Sequence, residues 1–96
     1  MEIRWSPEAV GDIENIVKYI QKDNPEAARR VAESLYNRID ALTTAPYSGR
    51  PGRLEGSREI VFSSIPYIGV YRVNAKDNVI EVSRIYHGAQ SFDKKH

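Results

Sequence analysis

Residues 56–90 read GSREIVFSSIPYIGVYRVNAKDNVIEVSRIYHGAQ, and this stretch decides the fold. It holds three runs rich in β-branched and aromatic residues, 58–63, 67–74 and 79–86, each bounded by turn formers. Ser64, Ile65 and Pro66 separate the first two runs; Lys76, Asp77 and Asn78 separate the second and third. Gaps this short favour antiparallel hairpins, because a parallel return needs a crossover of about a dozen residues or more. Val, Ile, Tyr and Phe suit a pleated, half-buried surface, while Pro and Asn sit where a ladder must stop. The reading is a three-stranded meander with an apolar face to cover, from whose last strand His87, Gly88, Ala89 and Gln90 emerge.

The preceding half of the chain supplies the cover. Residues 2–5 are short enough for an edge strand. Ser6, Pro7 and Glu8 then announce a helix: Ser caps, Pro tolerates the first helical position, and Glu favours the positive helix end. Ala9, Ile13, Ile16, Val17 and Ile20 follow at helical spacing, and the helix is expected to end near Lys22. Asn24, Pro25 and Glu26 repeat the start signal, after which Ala28, Val31, Ala32, Leu35, Ile39 and Leu42 carry a second stripe to about Thr44. So short a link makes the pair an antiparallel hairpin with both stripes facing the sheet. Residues 45–55, APYSGRPGRLE, form the one clear loop. The expected class is α+β, in the order β-α-α-β-β-β: a helical hairpin packed on one face of a mostly antiparallel four-stranded sheet. Residues 1–96 make a single domain, with 91–96 expected as a flexible tail.

Bulk properties narrow the classes of function. At 96 residues the chain buries roughly 60–65% of its unfolded surface, enough to fold alone with little stability to spare. No cysteine is present, so disulfides and thiolate metal sites are excluded. The charged N-terminus, MEIRWSPEAV, lacks the apolar run of a signal peptide, and no window approaches a membrane span. A cytoplasmic protein that does not engage membranes is expected. Fourteen basic against thirteen acidic residues leave a net charge of +1, which implies no strong non-specific attraction to nucleic acid. The distribution is less even: acids concentrate in the first half, whereas Arg50, Arg53, Arg58, Arg72 and Arg84 dominate residues 50–90, so one face can be basic.

Few constellations that carry chemistry are present. Two histidines, His87 and His96, without cysteine cannot assemble a common zinc site, and no metal or cofactor is expected. Residues 49–52 lack the spacing of a phosphate loop. Ser63 and Ser64 have no base placed beside them, and Glu8, Asp12 and Glu26 are read as helix first-turn acids. Arg58, Arg72, Arg84 and His87 remain. In antiparallel strands they can converge on one side of the sheet as a cationic pocket with one titratable group. Cleavage of RNA through its 2′-hydroxyl needs a base, cations for the phosphorane charge and an acid for the leaving oxygen. His87 can supply acid or base, the arginines charge, and Tyr86 a stacking face or a proton. The structural alternative is that the arginines point to solvent or pair with Glu59 or Glu81. By period two, Arg84 shares a face with Ile80, Val82 and Tyr86, so either the strand leaves the core there or the guanidinium is part-buried with a partner. Tyr67 and Tyr71 share a face of the middle strand and suit a macromolecular contact, or plain sheet packing. Phe92 can fold back onto the domain or serve a partner.

Taken in order, these motifs resemble a known family. Trp5-Ser6-Pro7-Glu8-Ala9, Tyr19-Ile20 with Asn24-Pro25, and the Pro46, Gly49, Arg50 loop fit together. So do residues 56–61, Pro66-Tyr67-Ile68 with Tyr71-Arg72-Val73, and residues 84–90, RIYHGAQ. Over nearly the whole chain they are similar to the RelE/ParE superfamily of type II toxin–antitoxin toxins. The resemblance implies a bacterial cytoplasmic toxin, chromosomal or plasmid-borne, held inactive by a cognate antitoxin and meeting DNA only indirectly through that complex. RelE-like members cleave messenger RNA on the ribosome; ParE-like members poison DNA gyrase. RelE-like enzymes carry a basic residue early in the middle strand, where this chain has Ile68, and further cations in the strand before it, where it has only Arg58, with Ile60 in place of a second. The tail after His87 is Gly-Ala-Gln rather than a basic run. The resemblance therefore points to the ParE-like branch, with Arg58, Tyr67, Tyr71, Arg72, Arg84 and His87 as target-binding residues. The alternative is a metal-independent ribosome-dependent RNase using His87, Arg58, Arg72, Arg84 and Tyr86.

Overall fold

A computed structural model describes residues 1–62 and 64–89. The readings made for Ser63 and for residues 90–96, including the flexible tail, Phe92 and His96, lie outside the described residues. Along the chain run β1 (Glu2–Trp5), α1 (Pro7–Gln21), α2 (Pro25–Asp40), a 3-10 turn (Ala41–Thr43), β2 (Arg50–Pro51), β3 (Arg58–Val61), β4 (Tyr67–Asn74) and β5 (Val79–His87). They form one five-stranded sheet in the order β1-β5-β4-β3-β2. The α+β class holds, and among the described residues the strand count is five rather than the expected four. The extra strand is β2, two residues of the presumed loop that pair Arg50 with Glu59 and Pro51 with Arg58. Two residues, one of them Pro, between Gly49 and Gly52 carry no alternation to read.

Both helices start where the sequence says. Ser6 is extended and its side chain accepts the Ala9 N–H at 3.0 Å, with Pro7 following. Asn24 does the same for the Ala27 N–H at 3.0 Å, ahead of Pro25. Each cap satisfies an orphan amide and contributes about 1 kcal/mol. The stripes then meet the sheet: Ala9, Ile13, Leu35, Ile39 and Leu42 pack with Ile60, Phe62, Tyr71, Ile80, Val82 and Ile85 in one buried cluster. Leu35 is fully buried, so truncation to Ala costs about 2–5 kcal/mol. A smaller cluster of Ile68, Val70 and Tyr86 lies apart from it. No described helix is long and apolar enough to cross a membrane.

The meander is antiparallel throughout, and β1 adds to β5 in parallel, pairing Ile3 with Ile80 and Trp5 with Val82. Between Asn74 and Val79 the turn uses Asn78 at φ 59°, a left-handed conformation that Asn tolerates. One irregularity matters for function. Val70 faces Arg84 but Tyr71 faces Val82, so Ser83 is an extra residue on β5. Below this bulge Ile80 and Val82 enter the main core; above it Ile85 does so, while Tyr86 joins Ile68 and Val70. The expectation that Ile80, Val82, Arg84 and Tyr86 share one face is therefore overturned at Ser83.

Candidate functional site

The end of β5, the start of β4 and residues 12–19 of α1 bound an open cleft of about 590 Å³, lined by Asp12, Asn15, Ile16, Tyr19, Tyr67, Arg84, Ile85, Tyr86 and His87. Its geometry begins where β1 stops. Beyond Val82 the outer edge of β5 has no strand neighbour among the described residues, and α1 takes over. The Ser6 hydroxyl donates to the Ser83 carbonyl at 2.9 Å, and an Asp12 oxygen accepts the Ile85 N–H at 2.8 Å. The same carboxylate accepts two bonds from Arg84, at 2.8 Å from Nε and 3.0 Å from Nη2. That pairing holds the Arg84 guanidinium above its ordinary pKa, chiefly through the Asp12 hydrogen bond. Of the two alternatives read for Arg84, the partner is found in Asp12, but the guanidinium is exposed and the bulge has turned it off the face of Ile80 and Val82.

Across the cleft, Tyr67 stands edge-on to His87, ring centroids 5.4 Å apart. Burial raises the Tyr67 phenol above its ordinary 10.0, with a smaller push from Tyr19. His87 is exposed, and its Nδ1 accepts the Ala89 N–H at 3.0 Å. A neutral ring holding that bond carries its proton on Nε2. Tyr86 lines the cleft but is largely buried with Ile68 and Val70, which limits it as a stacking platform.

The other arginines do not join this cleft. Arg58 donates to the carbonyls of Tyr47, at 3.1 Å, and Gly49, at 2.8 Å, and lies 5.0 Å from the centre of the Tyr47 ring. Arg72 donates to the Glu55 carbonyl at 2.7 Å. Cross-strand pairing puts Arg58 beside Tyr71 on the helix-covered face, and alternation puts Arg72 on the other. The expected convergence of Arg58, Arg72, Arg84 and His87 on one side is corrected: only Arg84 and His87 share a cleft. Local carbonyls capture the other two guanidiniums, because a loop with unpaired C=O groups lies within their reach.

Tyr71 is corrected as well. It is 1% exposed rather than part of an open tyrosine pair. Its hydroxyl donates to the Pro46 carbonyl at 2.7 Å and accepts the Gly49 N–H at 2.9 Å. A Cβ on Gly49 would sit 2.7 Å from that hydroxyl, so this close approach requires glycine. The role of Asp12 escaped the sequence reading. Asp12 was assigned to the helix start, yet it stands well past the first turn, beside core residue Ile13; an acid bordering a core stripe mid-helix was the available signal. Glu59, read as a possible partner for the strand arginines, is 3% exposed and instead holds the loop residue Arg50 at 2.9 Å, which anchors the basic loop.

A toxin fold of the RelE/ParE superfamily is what this arrangement defines, and the comparisons agree. The family model described as ParE toxin of type II toxin-antitoxin system, parDE, matches residues 3–92. The chain therefore belongs to the ParE toxin family of type II toxin–antitoxin systems. The toxin-named protein Y4kP of Sinorhizobium fredii is 40% identical over 90 residues, covering 94% of this chain and 91% of that one. Among solved structures, the chromosomal ParDE system of P. aeruginosa superposes with TM-score 0.80 at 22% identity, covering 91% of this chain and 95% of that one. The E. coli RelBE complex gives 0.68 at 14% identity, covering 93% and 98% respectively. At these identities the solved structures speak for the fold alone.

Proposed function

We propose that this chain is the toxin of a type II toxin–antitoxin module, silenced by a cognate antitoxin, and that it arrests growth by binding DNA gyrase. The observation that carries the choice of target is the separation of the cations. Charge stabilisation of a phosphorane needs several donors aimed at one point. Arg58 and Arg72 are instead occupied by loop carbonyls, away from the cleft that holds Arg84 and His87. A binding surface has no such requirement: Tyr67, Arg84 and His87 at the cleft, with Arg58 and Arg72 on outlying parts of the sheet, suit contact with a large partner. Membership of the ParE family supports the same branch.

Purified gyrase tests this directly. Added toxin should inhibit supercoiling or accumulate cleaved DNA, and pulse labelling after induction should show DNA synthesis falling before protein synthesis. Translation that fails while supercoiling continues would refute it. One observation favours a second reading, ribosome-dependent mRNA cleavage without a metal: His87 sits at a strand end facing Tyr67, in the same cleft as Arg84. That reading requires codon-phased cuts on translating ribosomes, abolished by His87→Ala together with Arg72→Ala.

An antitoxin segment is assigned to the helical hairpin, where Val10, Tyr19 and Tyr36 are exposed, and to the β2–β3 side of the sheet, where Val61 is exposed. Hydrogen exchange should slow in those elements when antitoxin is added. Protection restricted to residues 45–55 would contradict the placement.

A further inference from the structure

β1 is an outer strand with one side filled and, among the described residues, the other open. The Glu2 N–H bonds the Asn78 carbonyl at 3.1 Å, and the Ser6 N–H bonds the Val82 carbonyl at 2.9 Å. Even-numbered residues thus direct their amides at β5, and alternation turns those of Ile3 and Trp5 outward. Beside this edge lies a groove of about 240 Å³ lined by Ile3, Trp5, Tyr36, Asn37, Ile39 and Asp40. Trp5 meets Tyr36 edge-on with ring centroids 5.4 Å apart, and Tyr36 is half exposed. An unpaired strand edge beside aromatic surface is a template for strand addition.

We infer that β1 pairs antiparallel with β1 of a second copy of this chain across a two-fold axis, fusing two sheets into one. The charges select both the occupant and the register. Since the outward amides belong to odd-numbered residues, only odd residues can exchange hydrogen bonds across the new edge. With Ile3 opposite Ile3, Glu2 falls opposite Arg4 on both sides of the axis. Sliding by two residues sets Arg4 against Arg4 or Glu2 against Glu2, and like charges directly opposed are destabilising. Glu2 and Arg4 also occupy the non-hydrogen-bonded positions, where facing Cα atoms approach to about 4.5 Å and side chains interact most closely. Within one chain they form only a loose contact at 3.9 Å, with side chains 67% and 58% exposed, so both are available to a partner. Ile3 meets its own symmetry mate on the face that carries Trp5. The strand is therefore complementary to itself in one register, as a two-fold interface requires. The open side of β5 beyond Val82 offers no competing edge, because Ser6 and Asp12 already occupy it.

Sedimentation and light scattering of the purified chain, in a series reaching about the millimolar level, test the pairing. The wild type should dimerise with concentration, and the Ile3 amide should exchange more slowly as it does. Arg4→Glu and Glu2→Arg, each alone, should weaken dimerisation by about tenfold or more, since each creates two like-charge oppositions. The exchanged double variant, Glu2→Arg with Arg4→Glu, should restore it. Both positions are exposed, and melting curves confirm that each variant folds. A wild type that stays monomeric, single variants that dimerise normally, or a double variant that fails to recover would each overturn the inference. Slowing of Ile3 exchange only on addition of a different protein would assign the edge to that protein and overturn it equally.

Discussion

Asp12 holds three hydrogen-bond donors of β5 at once: Nε and Nη2 of Arg84 and the Ile85 amide, all within 3.0 Å. A helix side chain thereby serves as the neighbour that the outer edge of β5 lacks, and it fixes Arg84 at the mouth of the cleft. Asp12→Ala is expected to cost about 1–3 kcal/mol, because a part-buried amide and a guanidinium both lose their acceptor. Arg84→Ala should cost less, since that side chain is half exposed. The double variant should fall short of the sum, and a thermodynamic cycle from urea melts checks this coupling.

Tyr71→Phe keeps the ring and removes the hydroxyl that ties Pro46 and Gly49 to the sheet. The site is buried, so both groups lose a partner that water cannot easily replace, at a cost of about 1–3 kcal/mol. For a domain of this size that lowers Tm by about 4–8 °C per kcal/mol. Exchange of the Gly49 amide should accelerate beyond the global change. Gly49→Ala, whose Cβ would strike the Tyr71 hydroxyl and the Glu59 carbonyl, should be at least as harmful.

Arg50 and Glu59 should respond asymmetrically. Glu59 is 3% exposed in its side chain and Arg50 is 52% exposed. Removing the arginine strips a buried carboxylate of its closest countercharge, whereas removing the carboxylate leaves cations that water can solvate. Arg50→Ala should therefore destabilise more than Glu59→Gln, by about 1 kcal/mol or more in chemical denaturation. Equal effects would show that the pair is not the anchor of the loop.

Alkaline pH probes Tyr67. Its phenol is raised above 10.0 in the folded chain, mainly by burial, so the unfolded chain releases that proton first. The contribution is fully present below about pH 10 and is lost as pH climbs through the raised value. Tyr67→Phe should remove part of the stability loss above pH 10 and leave the neutral region unchanged in slope. Ultraviolet titration of the phenols should find Tyr67 ionising above the ordinary tyrosine range.

Much of this fold was legible in the residues. Ser6-Pro7-Glu8 and Asn24-Pro25-Glu26 place both helix starts, and the three β-branched runs give the meander, because each signal is local. The site was harder to read for a physical reason: it depends on register. One extra residue, Ser83, reverses the side-chain parity of everything beyond it on β5, and nothing local announces a bulge. The bulge leaves Ile85 in the main core and sends Tyr86 to the smaller cluster. Arg58 and Arg72 failed to converge because their captors, the carbonyls of Tyr47, Gly49 and Glu55, belong to a loop whose path no periodicity describes. Tyr71 sat in an alternating run, but alternation alone does not say which face a helix will cover.

The parallel seam between β1 and β5 joins the first strand to the last, and the Ser6 and Asp12 bonds span 77 and 73 positions. Contacts of such reach close only after the intervening chain exists, and they are the slow ones to form. During synthesis, Glu2–Trp5 can find its strand partner only once Val79–Val82 has left the ribosome. The mouth of the cleft, where Ser6 and Asp12 meet β5, can consequently close only after both helices and the meander have been made.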